Sequence, residues 1–212
     1  MFYLITDKDN TTWRDVQWGE NVTHEEENPN YHFAVYNSPQ AACYMYPFYE
    51  EFKNPKLWAA SGENPSRDEG FRTKFAKLTT LNQLTSTLPN KDQRITFAIL
   101  CSMNLVMNPI YRDWAVRYLK GDDQTKESAK LVADTLSEQS GTPLPAEHEY
   151  TACCQAVLAA VMIDDIHGSA LFAASAGHRA YHDSLDLSEP INLEQIAQIV
   201  NMLPANEVAS FL

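Results

Sequence analysis

Positive charge is what the last third of this chain lacks. From Ala146 to Leu212 there are nine acids, one Arg (Arg179) and no Lys. Nucleic acid is a poor partner for such a segment, because phosphate binding needs clustered Lys and Arg. Long apolar runs are missing too. The nearest, Ala152 to Ala176, is interrupted by Asp164, Asp165 and His167. A transmembrane helix is therefore not predicted, since buried carboxylates cost several kcal/mol in lipid. Met1 to Asp7 has neither a basic start nor a long apolar stretch, so it reads as an opening strand and not as an export signal. There is no G-x-S-x-G, no P-loop and no G-x-G-x-x-G, so no local motif marks a nucleophile or a nucleotide phosphate site.

The four cysteines, Cys43, Cys101, Cys153 and Cys154, show no C-x-x-C spacing. Their apolar neighbours predict reduced core thiols in a cytoplasm. Buried thiols have a raised pKa and are inert, which argues against cysteine nucleophiles.

What the chain does have is a change of character near Pro89-Asn90. Before it, residues are aromatic, β-prone and punctuated by Pro and Asn. After it, Ala, Leu and Ile dominate at helical spacing. The net charge of −12 is uneven: residues 1–90 hold 12 acids and 8 bases, 91–145 hold seven of each, and 146–212 hold nine and one. This predicts an α+β protein, with a small mixed β-rich unit over residues 1–88 packed on a mostly helical region over 92–212, acidic from 146.

Along the first region, Phe2–Thr6 reads as a strand paired in a hairpin with Thr11–Trp18, with Trp13, Val16 and Trp18 as core anchors. Val22–Glu27 leads into a polar loop, and Tyr31–Tyr36 reads as a strand. Ser38 and Pro39 open a short helix over Gln40–Tyr46 that Pro47 halts, with Phe48–Phe52 as the alternative continuation by a second turn. Pro55–Ala60 reads as a strand, Ser61–Gly70 as a loop and Phe71–Leu81 as an extended segment. In the second region Ile95, Ile99, Met103 and Val106 mark one helix, Trp114 to Leu119 a second stopped by Gly121, and Thr125–Glu138 a third. Gly141–Pro145 is a break. Glu147–Ile166 reads as one long helix, with Gly168 as a kink before Ser169–Tyr181. A last helix runs from Leu193 to Leu203.

Four constellations carry chemistry on paper. His178 and His182 stand at i, i+4 and can reach one cation. The third element of a metal motif is missing, and Arg179 sets a fixed cation beside them, so no metal or cofactor is predicted. His24, beside Glu25, Glu26 and Glu27, has the residue types of a general base, within what otherwise reads as a solvated acidic loop. The aromatic residues between Trp13 and Trp58 suit a stacking pocket or a small core built from large side chains. Tyr46, Phe48 and Tyr49 flank Pro47 and are predicted to form an exposed patch.

Thr12 to His24, Tyr31 to Pro39, Asn54 to Trp58 and Gln93 to Cys101 together resemble uncharacterised proteins of phages and prophages. Those proteins open with a Trp-Arg…Trp-Gly-Glu segment and finish in Ala-rich helices and an Ile/Leu-rich last helix, to which Ile191 to Ala197 is similar. The resemblance implies a viral or prophage origin and a bacterial cytoplasm. It brings no catalytic residues.

The function expected from these features is non-enzymatic: an accessory protein of phage type that binds a host protein with a basic surface. Asp164, Asp165, Asp183 and Asp186 would supply the acidic face, with Tyr46, Phe48 and Tyr49 beside it. Its most concrete form is inhibition of a host defence complex by charge mimicry of nucleic acid. The alternatives are a small enzyme with a His and carboxylate site in the first region, using His24 or His32, and a self-assembling protein whose Ala-rich helices pack between copies. A deep pocket holding both a His and a carboxylate would favour the enzyme. An acidic face that simply keeps the chain dissolved is the plainest reading of the charge.

Overall fold

A computed structural model describes residues 1–49, 52, 54–85, 87–103, 105, 108–140, 152–203 and 207. The fold is α+β. The chain divides into two compact units, Met1–Leu88 and Pro89–Leu212.

Among its described residues the first unit holds seven strands and one α-helix, besides single 3-10 turns at Trp13–Asp15 and Pro29–Tyr31: β1 (Phe2–Thr6), β2 (Thr11–Thr12), β3 (Val16–Gln17), β4 (Thr23–Glu25), β5 (Phe33–Tyr36), α1 (Pro39–Tyr49), β6 (Lys56–Asp68) and β7 (Arg72–Leu84). Five strands run β4-β7-β5-β1-β6, and β6 pairs back onto β7. All these pairings are antiparallel, so β1, β6, β7 and β5 form a ring. Ring closure leaves few open edges. Leu4, Val35, Trp58, Ala60, Phe75 and Leu78 share one core with Trp18. The intervening Ile5, Leu57 and Ala59 are buried as well, and α1 packs against β1, β5 and β6.

Several sequence expectations change here. Thr11–Trp18 is no hairpin partner of β1. It folds back on itself as the β2–β3 ribbon, with Thr12 opposite Val16, because the chain reverses at Trp13–Asp15, where Arg14 takes φ 66°. The Asp7 carboxylate, accepting from the Asp9 N–H, the Thr11 N–H and the Thr11 hydroxyl, closes the preceding turn between β1 and β2. Part of the polar segment from Val22 is strand β4, paired to β7. Pro47 does not halt α1, which continues to Tyr49. Ser61–Gly70 is no loop: β6 runs to Asp68, because β7 offers it an uninterrupted antiparallel partner. Two register shifts, at Trp58/Ala60 and Pro65/Arg67, absorb the proline and bend the strand. Gly62 is needed there, because a Cβ at this position would lie 2.3 Å from the Phe75 ring.

The second unit is helical: α2 (Lys91–Met103), α3 (Pro109–Lys120), α4 (Lys126–Ser140), α5 (Ala152–Val161), α6 (Ile166–Ser184) and α7 (Leu193–Met202). Every residue of α2 from Arg94 to Met103 is buried, as expected of a central helix. It contacts α3, α5, α6 and α7. Asn108 caps α3 through the Ile110 and Tyr111 N–H groups, and Gly121 ends it at φ 79°. Ala156, Ala159, Ala160, Ala173, Ala176 and Ala180 are buried where α5 and α6 meet.

The long helix expected from Glu147 is divided. It breaks at Met162–Asp165, before Gly168, and Gly168 lies inside α6. Asp165 makes the new start by accepting the His167 N–H. Val106, the Gly141–Pro145 break and the stretch 147–151 lie outside the described residues. Among those described, no helix is long and apolar enough to cross a membrane.

Candidate functional site

A cavity of about 480 Å³ opens in the first unit. Its floor follows from strand register. Ala34 stands opposite Lys74, and Tyr36 opposite Arg72. Directly opposed residues of antiparallel strands share a face, so two cations stand side by side on β7 with a gap over the small Ala34. All four residues line the cavity.

Arg72 is buried and fixed. Its Nε and Nη2 lie 2.9 and 2.8 Å from Glu69 Oε2. Its guanidinium carbon sits 3.5 Å from the centroid of the Tyr49 ring, a cation–π contact. Burial pushes the Tyr49 phenol up to about 12, so this wall is neutral at physiological pH. Tyr46 lines the same wall. Lys74 is half-buried and makes no ion pair among the described residues.

The opposite wall comes from the 11–33 segment. Trp18 is buried at 2% exposure and donates its indole N–H to Thr12 Oγ1. His24 meets Trp18 edge-on, with ring centroids 4.8 Å apart. Its Nε2 lies 2.8 Å from the Gln17 carbonyl. A carbonyl only accepts, so Nε2 carries the proton. His32 also lines the cavity, and its buried Nδ1 has no hydrogen-bond partner among the described residues.

The rim is aromatic and exposed. Trp13 is 59% and Tyr31 39% solvent-accessible, with centroids 5.7 Å apart. The Arg14 guanidinium lies 4.2 Å from the Tyr31 centroid and 3.3 Å from Glu26 Oε2. Arg14 and Asp15 hold φ of 66° and 56°. Two successive left-handed residues without glycine store strain, a pattern that gathers at binding sites. Glu25 and Glu26 complete a lining that contains both histidines and carboxylates, as the enzyme reading asked. Yet among the described residues no hydrogen bond couples them: Glu26 is held by Arg14 and His24 Nε2 by the Gln17 carbonyl.

The cavity relocates several expectations. Tyr46 is buried at 7%, and Phe48 and Tyr49 are half-buried, so these three do not make an exposed patch. Because α1 runs through Pro47, Tyr46 and Tyr49 fall at i, i+3 on its inward side. Trp13, read as a core anchor, is instead the exposed ring. Tyr31 belongs to the aromatic set that suited a stacking pocket or a core, whereas Arg72 and Lys74 were not singled out in the sequence. Their only signal is the alternation of Arg72 and Lys74 on one strand face, which means little until β5 supplies the register.

The acidic residues lie in the second unit. Asp164, Asp165, Asp183 and Asp186 are all exposed. Asp164 Oδ2 is 2.7 Å from Lys126 Nζ, whose hydrogen bond holds the carboxyl below its ordinary pKa. Asp183 pairs with Arg179 at 2.9 Å, and Asp165 is the cap of α6. The His178 and His182 rings lie 4.4 Å apart. Among the described residues no group of three or more His, Cys, Asp or Glu is placed to hold a metal ion. Burial raises the pKa of the Cys101 thiol.

No protein-family model matches the chain, and neither the curated proteins nor the solved structures contain a match.

Proposed function

We propose that the first unit is a ligand-binding module and that its cavity is the binding site for a small molecule. One observation carries this: a cavity of about 480 Å³ whose rim holds the exposed rings of Trp13 and Tyr31 above a charged floor. Small-molecule sites are concave, largely apolar and aromatic, with a few placed polar groups, and span roughly 300–1,000 Å³. An exposed Trp and Tyr at a cavity mouth supply stacking area at little entropic cost.

The test is a fragment screen on the full chain, read by nitrogen-15 NMR of the indole N–H groups. The four tryptophans give four signals. Binders should shift Trp13 and Trp18 and leave Trp114, in the helical unit, unmoved. A screen in which no fragment reaches Trp13 or Trp18 would defeat the proposal.

The exposure of Asp164, Asp165, Asp183 and Asp186 favours a second reading, in which a phage-type chain docks this surface on a basic host protein. Ion pairs already hold Asp164 and Asp183, so the free charge is smaller than the sequence count. A pull-down from bacterial lysate should retain one complex at low salt. Capture that persists in 1 M salt, where screening acts within about 3 Å, would oppose an electrostatic contact.

A further inference from the structure

We propose that the cavity selects a ligand that joins a planar ring to an anionic group, a carboxylate or a phosphate. This rests on the cavity being a ligand site. The ring would lie on Trp13 at the rim, and the anion on Lys74 and His32 at the floor.

Charge pairing points to Lys74. Of the cations lining the cavity, Arg14 is held by Glu26 and Arg72 by Glu69. Lys74 has no ion-pair partner among the described residues and is half-buried. A half-buried ammonium without a counter-ion loses hydration and gains nothing in return. Opposite it stands Ala34, whose methyl side chain leaves room above the floor.

His32 reaches the same cavity. It directly precedes β5 and lines the cavity together with Ala34 and Lys74. Its Nδ1 is buried without a hydrogen-bond partner among the described residues. Buried polar nitrogens are nearly always hydrogen-bonded in folded proteins. Either Nδ1-protonated form of the ring donates to an anion. Lys74 and His32 thus offer two donors to one anionic group, and charge-assisted bonds of this type are the stronger ones.

The rim selects the other half of the ligand. Arg14 lies 4.2 Å from the Tyr31 centroid and 5.7 Å from that of Trp13, and Trp13, at 59% against 39% exposure, is the more open of the two rings. Glu25, the lining carboxylate without an ion pair among the described residues, is solvent-exposed, away from a half-buried floor that carries cations.

The experiment is calorimetric titration of the full chain with two matched pairs of probes. Indole-3-acetate is set against 3-methylindole, and adenosine monophosphate against adenosine. At least one anionic member should bind at least tenfold more tightly than its neutral parent. The carboxylate and phosphate arms decide between the two anions. Lys74→Gln should abolish that tenfold preference and leave the neutral parent's affinity unchanged. Lys74→Arg should restore it, which separates lost charge from lost folding. Trp13→Ala should weaken both members of a pair.

Neutral parents that bind as tightly as the anions, or a preference that survives Lys74→Gln, would overturn the ligand class. Sensitivity to Trp13→Ala in either case would leave the cavity standing as a site. Absence of binding by all four probes would also overturn the ligand class, and the indole N–H screen would then judge the cavity alone.

Discussion

Gly62 and Phe75 show how finely the small β unit is packed. A Cβ on Gly62 would meet the ring at 2.3 Å, and Phe75 is itself pinned against Phe2 at 4.7 Å. Gly62→Ala is therefore expected to destabilise the chain by about 1–3 kcal/mol, the usual cost of overpacking, read as a lower urea midpoint. Arg72→Met is expected to cost about 1.5–3 kcal/mol, the range for a hydrogen bond to a charged group. It removes the closest partner of Glu69, only 12% exposed at the side chain, and leaves it the exposed Arg67, 3.1 Å from its Oε1. Asp7 makes a prediction in pH. The Thr11 hydroxyl hydrogen bond leads the causes that lower its pKa, so the unfolded chain takes up the proton at higher pH than the folded one. Stability from Asp7 is present above the unfolded value, about 3.9, and is lost as pH falls through the lower folded value. Asp7→Asn should flatten the stability profile in that acidic window, measured by urea melts at stepped pH.

At the scale of elements, the helices with clean periodicity were legible. α4 and α7 begin and end, and α2 begins, within a few residues of the expected positions, because their apolar spacing is a local fact, whereas α3 starts at Pro109 and not at the expected Trp114, because Asn108 caps it. The α5–α6 break was not. An Ala-rich stretch has no local reason to stop, and Gly168 looked like the weak point. The break comes from Asp165, which captures the His167 N–H. A Cβ on Gly168 would lie 2.7 Å from Asp165 Oδ2, so the glycine makes room for the cap. Asp165→Ala should cost about 1 kcal/mol. Gly168→Ala should displace the same cap, so the double variant should lose clearly less than the sum of the two, in a cycle of thermal melts. Asp165→Asn keeps a capping oxygen and is the better choice for testing the acidic surface. β6 failed in the sequence for the opposite reason. Ser61, Gly62, Asn64 and Pro65 are turn formers taken singly, and the partner strand that overrides them lies outside any local window.

For the whole molecule, net charge sets solution behaviour. With a net charge of −12 and an isoelectric point near 4.8, mutual repulsion keeps copies apart at neutral pH and vanishes near the isoelectric point. Light scattering should therefore peak at about pH 4.8 and fall on either side. A scattering maximum well above that pH would mean that a buried or paired subset of the acids, and not the net charge, controls association.

The α+β composition, the change of character near Pro89, the acidic last third and most helices follow from the sequence by itself, because burial pattern, capping and charge are properties of neighbouring residues. The candidate site does not. It depends on a register that sets Ala34 beside Lys74 and Tyr36 beside Arg72, on a helix that passes through Pro47 and turns Tyr46 and Tyr49 inward, and on a ribbon that lifts Trp13 into solvent. Each joins segments up to several tens of residues apart. Only closure of the β1-β6-β7-β5 ring decides which of the many aromatic and charged side chains share one cavity.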